Sequence, residues 1–270
     1  LNVEDIMTSN PVSVSLDTSA TRVRSILRDE DFRCIPVVNG NHLEGLITRG
    51  DMLNISATKS NIEARGIMKK PKVILTPEMD IFKAAHNILS AVEIQAPVVE
   101  SNNNLSLVGI VSVVDILRGF KEEGAEPHKK TLGDIKTKNV VSCDYQDLIS
   151  KVWNKMDESG YSGLPVLKNG KLIGIITWKD LIKARHISTG METEHGKRSI
   201  KVEKVMKTPT LVGTDDMPVE EAANLMIAND IGRLPVVKNP VFVKKEPNRS
   251  KESELVGIVS REDILGSYIS

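Results

Sequence analysis

The sequence predicts an α+β fold built from four copies of one strand-and-helix repeat, arranged as two pairs. One phrase (Gly, two apolar residues, Ser or Thr, two variable residues, Asp) occurs four times: GLITRGD at 45–51, GIVSVVD at 109–115, GIITWKD at 174–180 and GIVSRED at 257–263. A proline-led apolar run stands ahead of each copy, as IPVV at 35–38, APVV at 96–99, LPVL at 164–167 and LPVV at 234–237. Ahead of that run lies an amphipathic helix. Ile81, Ala84, Ala85, Ile88 and Leu89 recur at helical spacing, as do Val219, Ala222, Ala223, Met226 and Ile227. Self-similarity of this kind defines the architecture before any finer reading.

In chain order, each repeat reads strand, helix, strand, turn, strand, helix. The opening strand is short and apolar and follows a turn, as in Asn10-Pro11-Val12-Ser13-Val14 and Thr208-Pro209-Thr210-Leu211-Val212. Pro36, Pro97, Pro165 and Pro235 fit the start of an edge strand, where no N–H is needed. Asn169-Gly170 is a two-residue hairpin signal between LPVL and KLIGIIT. The closing helix opens on Ser or Thr with Asp three residues on. That is a capping-box start, and the helix dipole favours the acid there. The repeats are expected at 1–58, 62–120, 131–187 and 200–270. FKEEGAEPHKK (120–130), charged and containing Gly and Pro, divides the halves, and the polar stretch 186–199 links the third repeat to the fourth. KNPVFVKKEPNRSKESE (238–254) lengthens the last hairpin and reads as a solvated loop, with a basic partner-docking loop as the alternative.

Composition narrows the function classes. Lys plus Arg and Asp plus Glu both number 36, so no global field steers the chain to DNA or to an anionic membrane. Aromatic residues make up 3%, which leaves an aliphatic core and few platforms for stacking bases; nucleic acid is not an expected partner. Cys34 and Cys143 lack metal-type spacing and read as reduced thiols, one or both buried. His42, His86, His128, His186 and His195 are scattered without ligand spacing, so no metal is expected, and Trp153 sits on an apolar helix face as core. No run approaches the roughly 18 apolar residues of a membrane span, and the first residues lack a signal-peptide pattern; cytoplasm is the expected compartment. G-x-S-x-G, P-loop and H-E-x-x-H motifs are absent, so an enzyme is not expected.

The four phrases, each behind a proline-led strand and an amphipathic helix, resemble CBS domains, regulatory repeats that associate in pairs as Bateman modules. The resemblance covers nearly the whole chain. Four copies also resemble the gamma subunit of AMP-activated protein kinase and small archaeal four-repeat proteins. It implies that the sheets of paired repeats pack together and that adenosyl ligands lie in clefts between them: AMP, ADP, ATP, S-adenosylmethionine or methylthioadenosine. It also implies two modules, as a monomeric disc or a homodimer, and a regulatory role exerted on a protein partner. A constitutive scaffold stabilised by bound nucleotide is the alternative.

The residues themselves give a reason for such a ligand. A helix N-terminus presents unpaired N–H groups and partial positive charge, which suit a phosphate. The hydroxyls of Thr48, Ser112, Thr177 and Ser260 can donate to the same anion, and Asp51, Asp115, Asp180 and Asp263 can accept from ribose hydroxyls. The same Ser/Thr-x-x-Asp pattern also caps helices that bind nothing. Arg49, Arg261 and Arg233 are positioned as bidentate phosphate clamps, and Lys179 as a point charge. The second repeat has Val113-Val114 at this place and no cation, so it is the weakest phosphate site. The opening strands offer an apolar slot for adenine through Val12 and Val14, Val73 and Ile74, Val140 and Val141, and Thr210 and Leu211.

Overall fold

Each proline-led run and the Gly phrase after it form one antiparallel hairpin. Strand Cys34–Asn39 pairs with His42–Thr48, Gln95–Ser101 with Asn104–Ser112, Gly163–Lys168 with Lys171–Thr177, and Arg233–Lys238 with Glu254–Ser260. All four ladders shift register one residue after the valine that follows the proline, at Val37/Val38, Val98/Val99, Val166/Leu167 and Val236/Val237. The third hairpin turns on Asn169 and Gly170, with φ of 50° and 77°, as the Asn-Gly pair requires. The computed structural model describes residues 1–30, 32–53, 55, 61–190 and 200–269.

The helices ahead of the hairpins span Ala20–Asp29, Ile81–Ser90, Ile149–Ser159 and Val219–Ala228. Their apolar faces supply the core: Val23 and Leu27 in the first, Val152 and Met156 in the third. Each side chain so buried contributes about 1.5–3 kcal/mol. Trp153 packs half-buried against the third repeat's cluster. Ser19 caps the first helix, accepting from the Arg22 N–H at 3.2 Å, and Asp80 caps the second, accepting from the Phe82 N–H at 2.9 Å.

The proline-led strands are not edges, contrary to expectation. Val14–Ser15 runs parallel to Val37–Val38 and Cys143–Asp144 parallel to Val166–Leu167, while single parallel bridges, Leu75 to Val98 and Gly213 to Val236, do the same in the other two repeats. Each proline is tolerated because these short partners pair just beyond it, so no ladder bond is lost. Two further expectations change. Residues 238–254 are not a plain loop: Phe242–Val243 and Glu246–Ser250 pair, and the latter recruits Thr210–Leu211 into a three-stranded sheet. The helix that starts at Trp178 continues through Gly190, so the expected linker 186–199 begins as helix; residues 191–199 lie outside the described residues.

The chain divides into two compact units, Leu1–His128 with Leu265–Ser270, and Lys129–Ile264. Within each unit the two repeats exchange their lead-in segments. In the first, Lys69 bridges to Leu46 of repeat one, and Thr8 pairs with Ile110 of repeat two. In the second, Lys207 bridges to Ile175 and Thr137 to Ile258. This crossing explains the invariant glycine of the repeated phrase. A Cβ on Gly45 would lie 3.0 Å from the Lys69 carbonyl oxygen, on Gly109 3.2 Å from that of Thr8, and on Gly174 2.7 Å from that of Lys207. On Gly257 it would meet the Lys136 side chain at 2.7 Å. Only a residue without a side chain lets the partner backbone pass so close. Among the described residues, no helix is long and apolar enough to cross a membrane.

Candidate functional site

The crossing places the Ser/Thr-x-x-Asp start of each closing helix beside the partner repeat's lead-in segment. The four helix starts share one geometry. The Thr48 N–H and hydroxyl both donate to Asp51 Oδ2 at 2.8 Å, and the Asp51 N–H donates back to the hydroxyl at 3.2 Å. Ser112 and Asp115 repeat this at 2.8, 2.7 and 3.2 Å, and Ser260 and Asp263 at 2.8, 2.9 and 3.1 Å. Thr177 donates to Asp180 from its N–H at 2.9 Å and its hydroxyl at 2.6 Å. Here the structure departs from the sequence reading. Each hydroxyl proton is spent on the carboxylate, so Thr48, Ser112, Thr177 and Ser260 orient their aspartates instead of donating to an anion. One carboxylate oxygen, Oδ2, is filled by the helix start. The other, Oδ1, offers two acceptor positions.

In the second unit, Asp263 borders a cavity of about 230 Å³, just under the usual range of about 300–1,000 Å³ for small-molecule sites. Thr137, Asn139, Val140 and Val141 come from the lead-in and opening segment of the third repeat, Tyr161 from the turn before its hairpin and Gly163 from the hairpin's first strand. Ser260, Asp263, Arg233 and Ile258 come from the fourth. The site thus combines apolar walls, one carboxylate and one guanidinium. Arg233 stacks over Tyr161, with Cζ 4.3 Å from the ring centroid, and no carboxylate among the described residues pairs with it. Burial pulls its pKa below the ordinary arginine value, against opposing pulls from Glu262, Tyr161 and Asp263; a guanidinium remains charged under such conditions.

The remaining predicted cations are elsewhere. Arg261 is buried, donating from Nε to the Ile231 carbonyl at 2.8 Å and from a terminal nitrogen to Asp230 Oδ1 at 2.9 Å. It therefore ties down the turn before strand Arg233–Lys238 and does not line the cavity, which corrects its reading as a phosphate clamp. Arg49 and Lys179 sit half-buried in the first turn of their helices, and neither lines this cavity. Of the adenine-slot residues, Val140 and Val141 do. Val12 is exposed, and Thr210 and Leu211 are buried as a strand of the added sheet. The sequence reading missed Thr137, Asn139, Tyr161, Gly163 and Ile258. Their signal is positional: Gly163, like Arg233, stands two residues before its strand proline.

The matching positions in the first unit are Cys34 and Gln95, and there the Cys34 thiol donates to Gln95 Oε1 at 2.9 Å. Burial, then the nearby Glu93 and Asp51, pushes the Cys34 thiol up to about 12. Cys143 is raised to about 12 as well, chiefly by burial. Neither is a nucleophile near neutral pH. Among the described residues, no group of three or more His, Cys, Asp or Glu side chains is placed to hold a metal.

Four stretches of the chain, residues 3–58, 64–122, 132–187 and 202–270, match the CBS domain. Over an alignment of 280 positions the chain is 25% identical to protein MJ1225 of Methanocaldococcus jannaschii, covering 94% of each. The crystal structure of that protein, described as a proposed archaeal homologue of g-AMPK, superposes with a TM-score of 0.81 at 24% identity, over 98% of this chain and 99% of that one. A conserved protein of Pyrococcus horikoshii superposes with a TM-score of 0.67 at 23% identity over the same shares, and both likenesses concern the fold. Half of the chain is also 33% identical to a segment of the inosine-5′-monophosphate dehydrogenase of M. jannaschii, but that segment is only 23% of the enzyme. With matches that take in nearly its whole length, the chain belongs to the CBS domain family.

Proposed function

We propose that the protein is a regulatory sensor of an adenosine-derived ligand (AMP, ADP, ATP or an S-adenosylmethionine-type compound) and that it acts through ligand-dependent contacts with a protein partner. The observation that carries this reading is the cavity of the second unit. There Asp263 Oδ1 is without an ion-pair partner among the described residues, and the Arg233 guanidinium shares the cavity wall with it. Ribose hydroxyls donate to Asp263, a phosphate pairs with Arg233, and the adenine ring lies against Val140, Val141 and Ile258. The apolar walls favour the base by burial, and the two charges select a sugar-phosphate over a bare base. Regulation then requires the ligand to bind one state of the protein more tightly than another, typically by about 1–3 kcal/mol. The proposed role is regulatory and not catalytic. The proposed place of action is the cytoplasm.

Titration calorimetry with AMP, ATP, S-adenosylmethionine, methylthioadenosine and adenosine tests this directly. Binding of at least one, weakened by Asp263→Asn, is expected. An Arg233→Gln change should weaken AMP more than adenosine; an equal loss for both removes Arg233 as the phosphate partner.

A further inference from the structure

The four clefts share the Ser/Thr-x-x-Asp helix start, and in each the lead-in residue that bridges to the position after the repeated glycine is Thr or Lys: Thr8 for the cleft of Asp115, Lys69 for Asp51, Thr137 for Asp263 and Lys207 for Asp180. Lys69 Nζ lies 2.6 Å from Asp51 Oδ1, and Lys207 Nζ lies 3.8 Å from Asp180 Oδ1. Both aspartates are buried. Threonine supplies no such charge to the other two. Asp263 has no ion pair among the described residues, and the cation near Asp115 is Arg118 of its own helix, exposed and 3.8 Å away.

We propose that the lead-in residue selects which clefts take a riboside: threonine leaves a cleft open, and a lysine within hydrogen-bond reach of the aspartate, as Lys69 is, fills it with the protein's own ammonium group. The inference rests on the ribose role given above to the aspartates. A carboxylate oxygen has two acceptor positions, and a vicinal diol needs both. In the cleft of Asp51, Oδ2 is filled by Thr48 and one position of Oδ1 by Lys69, so one of the two sugar hydroxyls is left without an acceptor. The Lys207 contact, at 3.8 Å, is too long for a hydrogen bond, so both acceptor positions of Asp180 Oδ1 stay open, as they do beside Arg118 for Asp115. The clefts of Asp115, Asp180 and Asp263 remain, giving at most three ribosides per chain.

Equilibrium dialysis with adenosine tests this, because an uncharged ligand gains nothing from lysine as a phosphate anchor. The wild-type chain should saturate at no more than three equivalents. Lys69→Thr should add one more, Lys207→Thr should add none, and circular dichroism should match wild type. Four equivalents on the wild-type chain, or no gain in Lys69→Thr, overturns the inference while leaving the adenosyl reading standing. A loss of AMP sites in Lys69→Thr also overturns it, since the lysine would then be an anion anchor. Failure of both chains to bind adenosine and AMP alike defeats the ribose reading, and this inference with it.

Discussion

The two units share one backbone plan and differ at a pair of positions, the residues two before the strand prolines. The first unit has Cys34 and Gln95 there, hydrogen-bonded to each other. The second has Gly163 and Arg233, and a cavity borders both. Glycine contributes no side-chain volume, so Arg233 can lie over Tyr161 and still leave space beside Asp263. In the first unit two mid-sized side chains satisfy one another. The comparison teaches that repeat architecture fixes where a cleft stands, while a few side chains determine which ligand groups it can hold.

The most severe way to break the comparison is to build the first unit's pair into the second. Gly163→Cys with Arg233→Gln should remove the phosphate partner and narrow the cavity, weakening AMP far more than adenosine. The introduced Cβ would lie 3.2 Å from Thr177 Cγ2 and 3.3 Å from the Ile176 carbonyl oxygen, so a shift of a few tenths of an ångström should accommodate it. Unchanged calorimetric isotherms would show that these positions do not shape the site. Arg233→Ala alone should cost AMP about 1.5–3 kcal/mol, the worth of a charge-assisted hydrogen bond, with adenosine little affected.

Smaller effects sharpen the role of the crossing segments. Gly174→Ala drives a Cβ onto the Lys207 backbone carbonyl and should destabilise by about 1–3 kcal/mol. Gly257→Ala meets only the flexible Lys136 side chain and should cost less. Urea unfolding followed by two probes would check the order, since two units need not unfold together. Smallest is the thiol response. With pKa values near 12 for Cys34 and Cys143, about 1 in 10,000 of either is thiolate at pH 8, so a thiol reagent should react slowly with native protein and quickly with unfolded protein.

Much of the fold is legible in the residues because it is local and repeated. The hairpins, the helices and the capping boxes each follow from a few neighbouring residues, and four copies in register remove most ambiguity. The site is less so, because long-range partners settle it. Arg261 and Arg233 read alike along the chain, but Asp230 and the Ile231 carbonyl capture Arg261 and leave Arg233 at the cavity. No local pattern reveals that Lys69 will reach Asp51, since the exchange of lead-in segments is a tertiary event. Likewise, residues 238–254 look like loop until Thr210–Leu211 offers them a strand to pair with.

The central claim is that Asp263 is a sugar ligand and not only a helix cap. Asp263→Asn keeps an amide oxygen that can still accept from Ser260 at the helix start, at a cost of about 0.3–1 kcal/mol for the lost charge, while removing the charge that would receive the ribose hydroxyls. Calorimetric titration of this variant with AMP should show affinity reduced at least about tenfold, the fold-change of about 1.4 kcal/mol, with only a small loss of thermal stability. An isotherm that overlays the wild-type curve would contradict the account.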